Sequence, residues 1–226
     1  MKIKNYTIFD RVTTKNWDLL RDSSNYNSYH IPKRKEKFLE ILKKWKPRES
    51  IVDDFILLRK SYNLNKIISL ASGQCNLEYY LMNRLNFLCD VSDNTDSINR
   101  IKEFNIFNDA FYLDIKSDFK LNSQNNTLLL LSRIDTEFED FELINLFNNL
   151  HANKIKYIYF IPAEILNLKT FLIKIKIILI RILKFKVPVS WGYVRNLKGF
   201  NKLWKRHYSI LQKNNNCIIL VSNDFI

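Results

Sequence analysis

Glycine is nearly missing from this chain: three occur in 226 residues, and Gly73 is the only one before position 192. Glycine alone adopts left-handed backbone at no steric cost, so a chain this poor in it marks Gly73 as a turn that something approaches closely. Proline is scarce too, with four, and no Pro/Gly/Ser-rich stretch divides the chain. That argues against a string of domains on flexible linkers and for one principal core. No repeat of solenoid length occurs. The three cysteines, Cys75, Cys89 and Cys217, are odd in number, far apart and without a CxxC pair. A disulfide framework and a zinc site are therefore not expected, no metal is predicted, and a reducing compartment is. The opening MKIKNYTIFDRVTTKNWD holds no apolar run of signal-peptide length, so a cytoplasmic location is expected.

Acid is missing from one long stretch. Residues 165–223 hold twelve Lys and Arg and no Asp or Glu, whereas the remainder has 24 basic and 23 acidic residues, so nearly all of the net charge of +13 lies in the last quarter. A surface of one sign attracts anionic partners: a phosphorylated small molecule, membrane headgroups or nucleic acid.

What is present is alternation. Residues 1–32 are polar and aromatic without periodicity and read as a lead-in that folds over a site. Phe38, Leu39, Leu42 and Trp45 form one stripe of a helix over 33–46 that Pro47 ends, and Ile51, Phe55, Leu58 and Tyr62 share a face of a second over 50–62. Residues 1–62 thus form a lead-in and helical cap, and the main domain runs over 63–226. There, apolar strands are predicted at 67–70, 86–91, 110–113, 127–132 and 156–161, with helices between them. Continuous apolar strands alternating with helices predict a parallel sheet covered on both faces. HYSILQ and CIILVS flank a turn at 213–216 and predict an antiparallel hairpin.

The chemistry gathers at the carboxyl ends of these strands, where open α/β sheets bind ligands. The segment IISLASGQCNLE, residues 67–78, reads as a buried strand turning through Ala71-Ser72-Gly73 into a helix that begins near Asn76, which aims backbone N–H groups at a ligand. Asp90, 17 residues beyond Gly73, is expected at the tip of the second strand, able to accept hydrogen bonds from two ribose hydroxyls. Asp93 and Asp96 are expected to cap the next helix. Asp114 follows the third strand, and Ser132, Arg133 and Asp135 follow the fourth.

Five alternating strands, a terminal hairpin, a turn motif after the first strand and acids after the second and third resemble a class I S-adenosylmethionine-dependent methyltransferase, from about residue 65 to the end of the chain. The resemblance implies an α/β, Rossmann-like seven-stranded methyltransferase sheet, mostly parallel, with a C-terminal antiparallel hairpin and helices on both faces. Where the family has an acid and alternate glycines, this chain has Ser69, Ala71, Gly73 and Cys75. Carried over by position, Ala71, Ser72, Gly73, Cys75, Asp90, Asp114 and Ser132 bind S-adenosylmethionine. Asp90 holds the ribose and Asp114 the adenine amino group, while Ser132 to Asp135 border the sulfonium and the acceptor. A nicotinamide dehydrogenase would also use a glycine turn, but of G-x-G-x-x-G only one glycine in three is kept, at Ala71, Gly73 and Asn76. For methylation of a hydroxyl the candidate bases are Asp135 and His207, then His151 and His30, each histidine also having a structural reading: His151 as a helix C-terminal cap, His207 at the start of the hairpin and His30 in the lead-in.

The region 165–205 reads as a basic amphipathic insertion. At 100° per residue Leu168, Leu172, Ile175 and Leu179 fall on one side and Lys169, Lys174, Lys176 and Arg181 fall away from it. Such a helix either covers the sheet or lies on an anionic membrane, a peripheral contact on the inner face. Trp191, Tyr193 and Arg195 are expected near the mouth of the site, stacking on a sugar and pairing with a phosphate. SWGYVR resembles a segment of methyltransferases of bacterial surface polysaccharides, which implies a small-molecule or lipid-linked glycan acceptor, a sugar-containing or otherwise anionic molecule, and a place in polysaccharide biosynthesis. RNA is the alternative acceptor, and a non-catalytic methyltransferase-fold binding protein at a membrane surface is the alternative of a different class.

Overall fold

The apolar runs become the middle of one twisted sheet because each has to be covered on both sides. In the structure, a computed structural model, residues 2–4, 14–23, 29–121, 126–182, 192–214 and 217–225 are described. The sheet strands are β2 (Lys66–Leu70), β3 (Leu88–Asp93), β4 (Asp109–Tyr112), β5 (Thr127–Ser132), β6 (Tyr157–Ile161), β8 (Tyr208–Lys213) and β9 (Ile218–Ser222), in the spatial order β4-β3-β2-β5-β6-β9-β8. Six run in one direction, and β9 pairs antiparallel with both β6 and β8. This is the mostly parallel sheet with a terminal antiparallel hairpin that the alternation predicts. The strand order reverses between β2 and β5, which opens a crevice at their carboxyl ends.

Successive strand residues serve opposite faces, the period-two rule of a pleated strand. Ile67, Leu128, Leu130 and Tyr159 meet Phe38 and Leu42 of α2 (Lys35–Lys44), Phe55 and Leu58 of α3 (Glu49–Tyr62), Leu81 of α4 (Asn76–Leu85) and Ile101 of α5 (Ser97–Phe104). Ile68, Leu129, Leu131 and Phe160 meet Leu146 and Phe147 of α6 (Asp140–Ala152) and Phe200 and Trp204 of α8 (Leu197–Trp204). The helices of 33–62 therefore share the core of the sheet.

Glycine scarcity has a visible solution. α3, α4 and α5 end on Asn63, Asn86 and Asn105, all with φ between 47° and 52°. Asparagine is the next most tolerant residue of left-handed backbone, and it takes the place glycine usually fills at a helix end.

Two short pieces lie outside this frame. β1 (Lys2–Lys4) pairs antiparallel with β7 (Tyr193–Arg195), and α1 (Thr14–Asp22) crosses the carboxyl edge of the sheet. There Asp22 meets Arg100 of α5 at 2.9 Å and Asp18 accepts the Asp96 N–H at 3.1 Å. α7 (Leu168–Ile182) follows β6, and no side chain cap is made by Asp96, which already has helical backbone. Asp93 is the last residue of β3, and its side chain accepts the Thr95 N–H in the turn that leads into α5.

Candidate functional site

A cavity of about 430 Å³ lies at the carboxyl ends of β2, β3 and β5, under α1. Its floor is the turn after β2. Ala71, Gly73 and Cys75, at alternate positions, all have left-handed backbone, with φ of 52°, 61° and 56°. A side chain added at Gly73 would stand 2.9 Å from Arg21 Nη2, so Arg21 would have to shift, and the left-handed backbone itself favours glycine here. Cys75 is fully buried at the start of α4, and burial pushes its thiol up, so it is a packing residue. Ser72 is held by its N–H and hydroxyl, both donating to the Ser92 carbonyl.

The acid beside this turn is Asp93. Its Oδ2 accepts the Gly73 N–H at 2.9 Å and its Oδ1 the Thr95 N–H at 3.2 Å, and it lines the cavity. Asp90 lies three residues earlier, paired in register with Ile68, and its carboxylate takes Lys66 Nζ at 2.7 Å and Asn108 Nδ2 at 2.6 Å away from the cavity. The strand tip expected at Asp90 is therefore at Asp93. The physical reason is Ser92, whose hydroxyl donates to the Ser69 carbonyl at 3.1 Å and so keeps a polar residue inside the sheet.

Ser69, where an acid was expected, is buried and donates to Glu78 Oε1 at 2.5 Å. Glu78, on the first turn of α4, supplies the carboxyl that position 69 lacks. Burial pushes it up to about 7.

Three further residues were not foreseen. Arg21 of α1 is buried over the glycine turn, with Nη1 donating to the Tyr29 carbonyl at 3.1 Å, Nη2 4.0 Å from Asp93 Oδ2, and its guanidinium 4.9 Å from the Trp17 ring. Trp17 Nε1 donates to Glu137 Oε2 at 2.6 Å. Glu137 is half-buried on the cavity wall; desolvation, with the negative charge of Asp93 adding to it, pushes its carboxyl up to about 7. Arg21 and Trp17 sit in the aperiodic lead-in, where the spacing WDLLR, one helical turn, was the only available signal.

The other expected residues divide. Asp114, Ser132 and Arg133 line the cavity, Asp114 accepting from the Lys116 N–H at 3.0 Å and the Ser117 hydroxyl at 3.2 Å. Asp135 is fully buried behind the wall that Ile134 and Thr136 form. Its Oδ1 accepts the Ala163 N–H at 2.8 Å, and burial raises it to about 7. It does not face the cavity, so it is not placed to act as a base. His207 precedes β8, which runs with the parallel strands, so it lies at their amino edge, opposite the cavity. It stacks on His151 at 4.1 Å, and His151 meets Asp224 at 2.9 Å. His30 donates from Nδ1 to the Arg21 carbonyl, 2.9 Å away.

Arg195 and Tyr193 are also removed from the cavity. Arg195 is fully buried, donating from Nε to Asp140 at 2.9 Å and from Nη1 and Nη2 to the Asp135 and Phe138 carbonyls, each at 2.5 Å. Tyr193 donates to Glu139 and has Lys2 over its ring. Together they clasp residues 135–140, the cavity wall, because Gly192, with φ of 90°, lets the chain pass directly against the Thr136 carbonyl. Trp191 lies outside the described residues.

No protein-family model matches the chain, and no curated protein matches its sequence. Its fold is similar to solved methyltransferases. Magnesium protoporphyrin IX methyltransferase from Synechocystis PCC 6803, solved with bound SAH, matches with a TM-score of 0.58 at 11% identity, over 91% of this chain and 99% of that one. Human N-acetylserotonin methyltransferase, in complex with SAM, matches at 0.52 and 12% identity over 84% of this chain; the chain spans 56%, just over half, of the human protein. The PH0226 protein from Pyrococcus horikoshii OT3 matches at 0.53 and 14% identity, over 80% and 93% of the two chains. At these identities the likeness shows the fold.

Proposed function

We propose that the chain is an S-adenosylmethionine-dependent methyltransferase acting on a hydroxyl of a sugar-containing acceptor. The observation that carries the reading is the turn with left-handed backbone at Ala71, Gly73 and Cys75, set between the guanidinium of Arg21 and the carboxylate of Asp93. The residues fit an amino-acid nucleoside. Arg21 suits its carboxylate and Asp93 its ribose hydroxyls. Asp114, between Leu113 and Ile115 on the cavity wall, suits an exocyclic amine on a flat ring. Ser132 and Arg133 border the passage from that end to the acceptor.

When bound, the cofactor supplies a methyl already activated by its sulfonium, so the protein's task is to align the partners, exclude water and take a proton. α1 covers the cavity through Trp17 and Arg21. Glu137 is the base of choice: it faces the cavity, it is oriented by Trp17, and its raised pKa lets it accept a proton near neutrality. Five acids (Glu78, Asp93, Asp114, Glu137, Glu164) and three bases (Arg21, Lys116, Arg133) line the cavity, with Trp17, Tyr29 and Trp45. Carboxylates beside aromatic rings suit a polyhydroxylated acceptor better than an anionic one. For the same reason an RNA backbone is disfavoured.

Calorimetry with S-adenosylhomocysteine tests the reading. The wild type is expected to bind, Arg21→Ala and Asp93→Ala to bind at least ten-fold more weakly, and Asp90→Ala to bind as the wild type does. Absence of binding by the folded wild type removes the enzyme reading and leaves a non-catalytic protein of this fold. A loss with Asp90→Ala equal to that with Asp93→Ala would overturn the site assignment.

A further inference from the structure

Among the described residues of 165–223, only Val194 lines the cavity. Arg195 holds the cavity wall, and the rest of the described positive charge of this stretch lies outside the site. Four of the twelve lysines and arginines lie in α7, which is tied down at its start by a reciprocal cap. The Thr170 N–H donates to Asn167 Oδ1 at 2.9 Å and the Asn167 N–H to Thr170 Oγ1 at 2.8 Å.

Among the described side chains of α7, the leucine stripe does not cover the sheet. Leu168, Leu172, Ile175 and Leu179, spaced as one helical stripe, are exposed, the three leucines at 76%, 56% and 55% and Ile175 at 39%. Ile173 is exposed beside them, with Lys169 and Lys176 between it and the stripe. Lone apolar residues on a surface need no explanation, but a continuous stripe on one helix does. At 1.5 Å per residue the helix is about 22 Å long, and among the described residues no helix is long and apolar enough to cross a membrane. An apolar stripe flanked by lysines, in a stretch without a single acid, is complementary to one kind of surface, with hydrocarbon below and negative charge at the boundary.

We infer that α7 lies in the interface of an anionic lipid bilayer, its leucine stripe among the acyl chains and its lysines at the phosphates. Lys169 and Lys176 flank the stripe, and a lysine stem can lie on apolar surface while its ammonium group reaches the charged boundary. α7 begins four residues after Glu164, which lines the cavity, so a docked α7 holds the cavity mouth close to the lipid surface. An acceptor carried on a lipid would reach the site without leaving the membrane. The docking itself does not depend on methyl transfer.

The test is sedimentation of the full chain with vesicles of phosphatidylcholine alone, and with vesicles in which a quarter of the lipid is phosphatidylglycerol. Partition into the anionic vesicles is expected to be at least ten-fold greater and to fall with salt. Lys169→Gln/Lys176→Gln should lower it about five-fold per charge removed, and Leu172→Ser/Leu179→Ser should abolish it. Melting curves establish that both variants are folded. S-adenosylhomocysteine binding by the same samples, expected to be unchanged, keeps this result separate from that on the cavity. Equal partition into both vesicle types, no partition, or undiminished partition of both variants overturns the inference. So does a concentration-dependent dimer that Leu172→Ser/Leu179→Ser dissociates, which would give the stripe to a second copy of the chain.

Discussion

Glu78 is a carboxyl whose ionisation the fold delays to about pH 7. Its pKa, raised by burial from 4.5 to about 7, means that the folded chain holds this proton more tightly than the unfolded chain does. The stability so gained is complete below the unfolded pKa and is lost as pH rises through 7, a cost of about 3 kcal/mol once the group ionises. Asp135 is shifted in the same direction by the same cause. Glu78→Gln cannot ionise, so its stability relative to the wild type should rise between pH 5 and pH 9, as followed by urea unfolding. A difference that stays constant with pH would show that Glu78 is ionised in the folded state. The pair it forms with Ser69 also shows what residue-level reading could not reach. The serine at the end of β2 reads as a lost acid, because the acid that replaces it is nine positions away and meets it only after α4 packs on the sheet. Asp90 and Asp93 are the reverse case. Both are acids near one strand end, and only the Ser92 bond into the sheet decides which of them is the tip.

At the scale of elements, β7 and the turn after β5 are held by one side chain. Arg195 joins Asp140 to the Asp135 and Phe138 carbonyls from a site that water does not enter. Removing it leaves two buried carbonyls without their donors, while Asp140, half-exposed, keeps Lys2 at 3.4 Å. Arg195→Met should therefore cost about 2–4 kcal/mol, read as a lowered urea midpoint with an unchanged slope, while the folded fraction binds S-adenosylhomocysteine as before. Binding lost with stability retained would return Arg195 to the ligand site. The strands and core helices were legible because their apolar runs are uninterrupted and bounded by turns: TLLLL in β5, too short for a helix, fits a strand covered on both faces. α1 was not, because a nine-residue helix whose work is done by Trp17 and Arg21 carries little periodic signal. Nor could periodicity say which way α7 faces, since a broad apolar stripe is equally consistent with covering the sheet and with facing outward.

Taken as a whole, the molecule separates its charge. The cavity is lined by more acids than bases, whereas the last quarter, apart from its final residues, is basic throughout. Net charge alone suggests an anionic substrate; its distribution leaves the cavity, where Glu78 and Glu137 are pushed up to about 7, without an excess of positive charge. The contact that joins the N-terminal segment to that site has a further use. Trp17 hydrogen-bonds Glu137, Trp45 also lines the cavity, and Trp204 is fully buried. The chain thus carries its own optical reporter. Tryptophan emission should change on addition of S-adenosylhomocysteine. In the free protein it should titrate with a midpoint near 7 that Glu137→Gln abolishes, which would measure the proton affinity of the proposed base before any acceptor is known. A titration that survives Glu137→Gln would assign the change to another group.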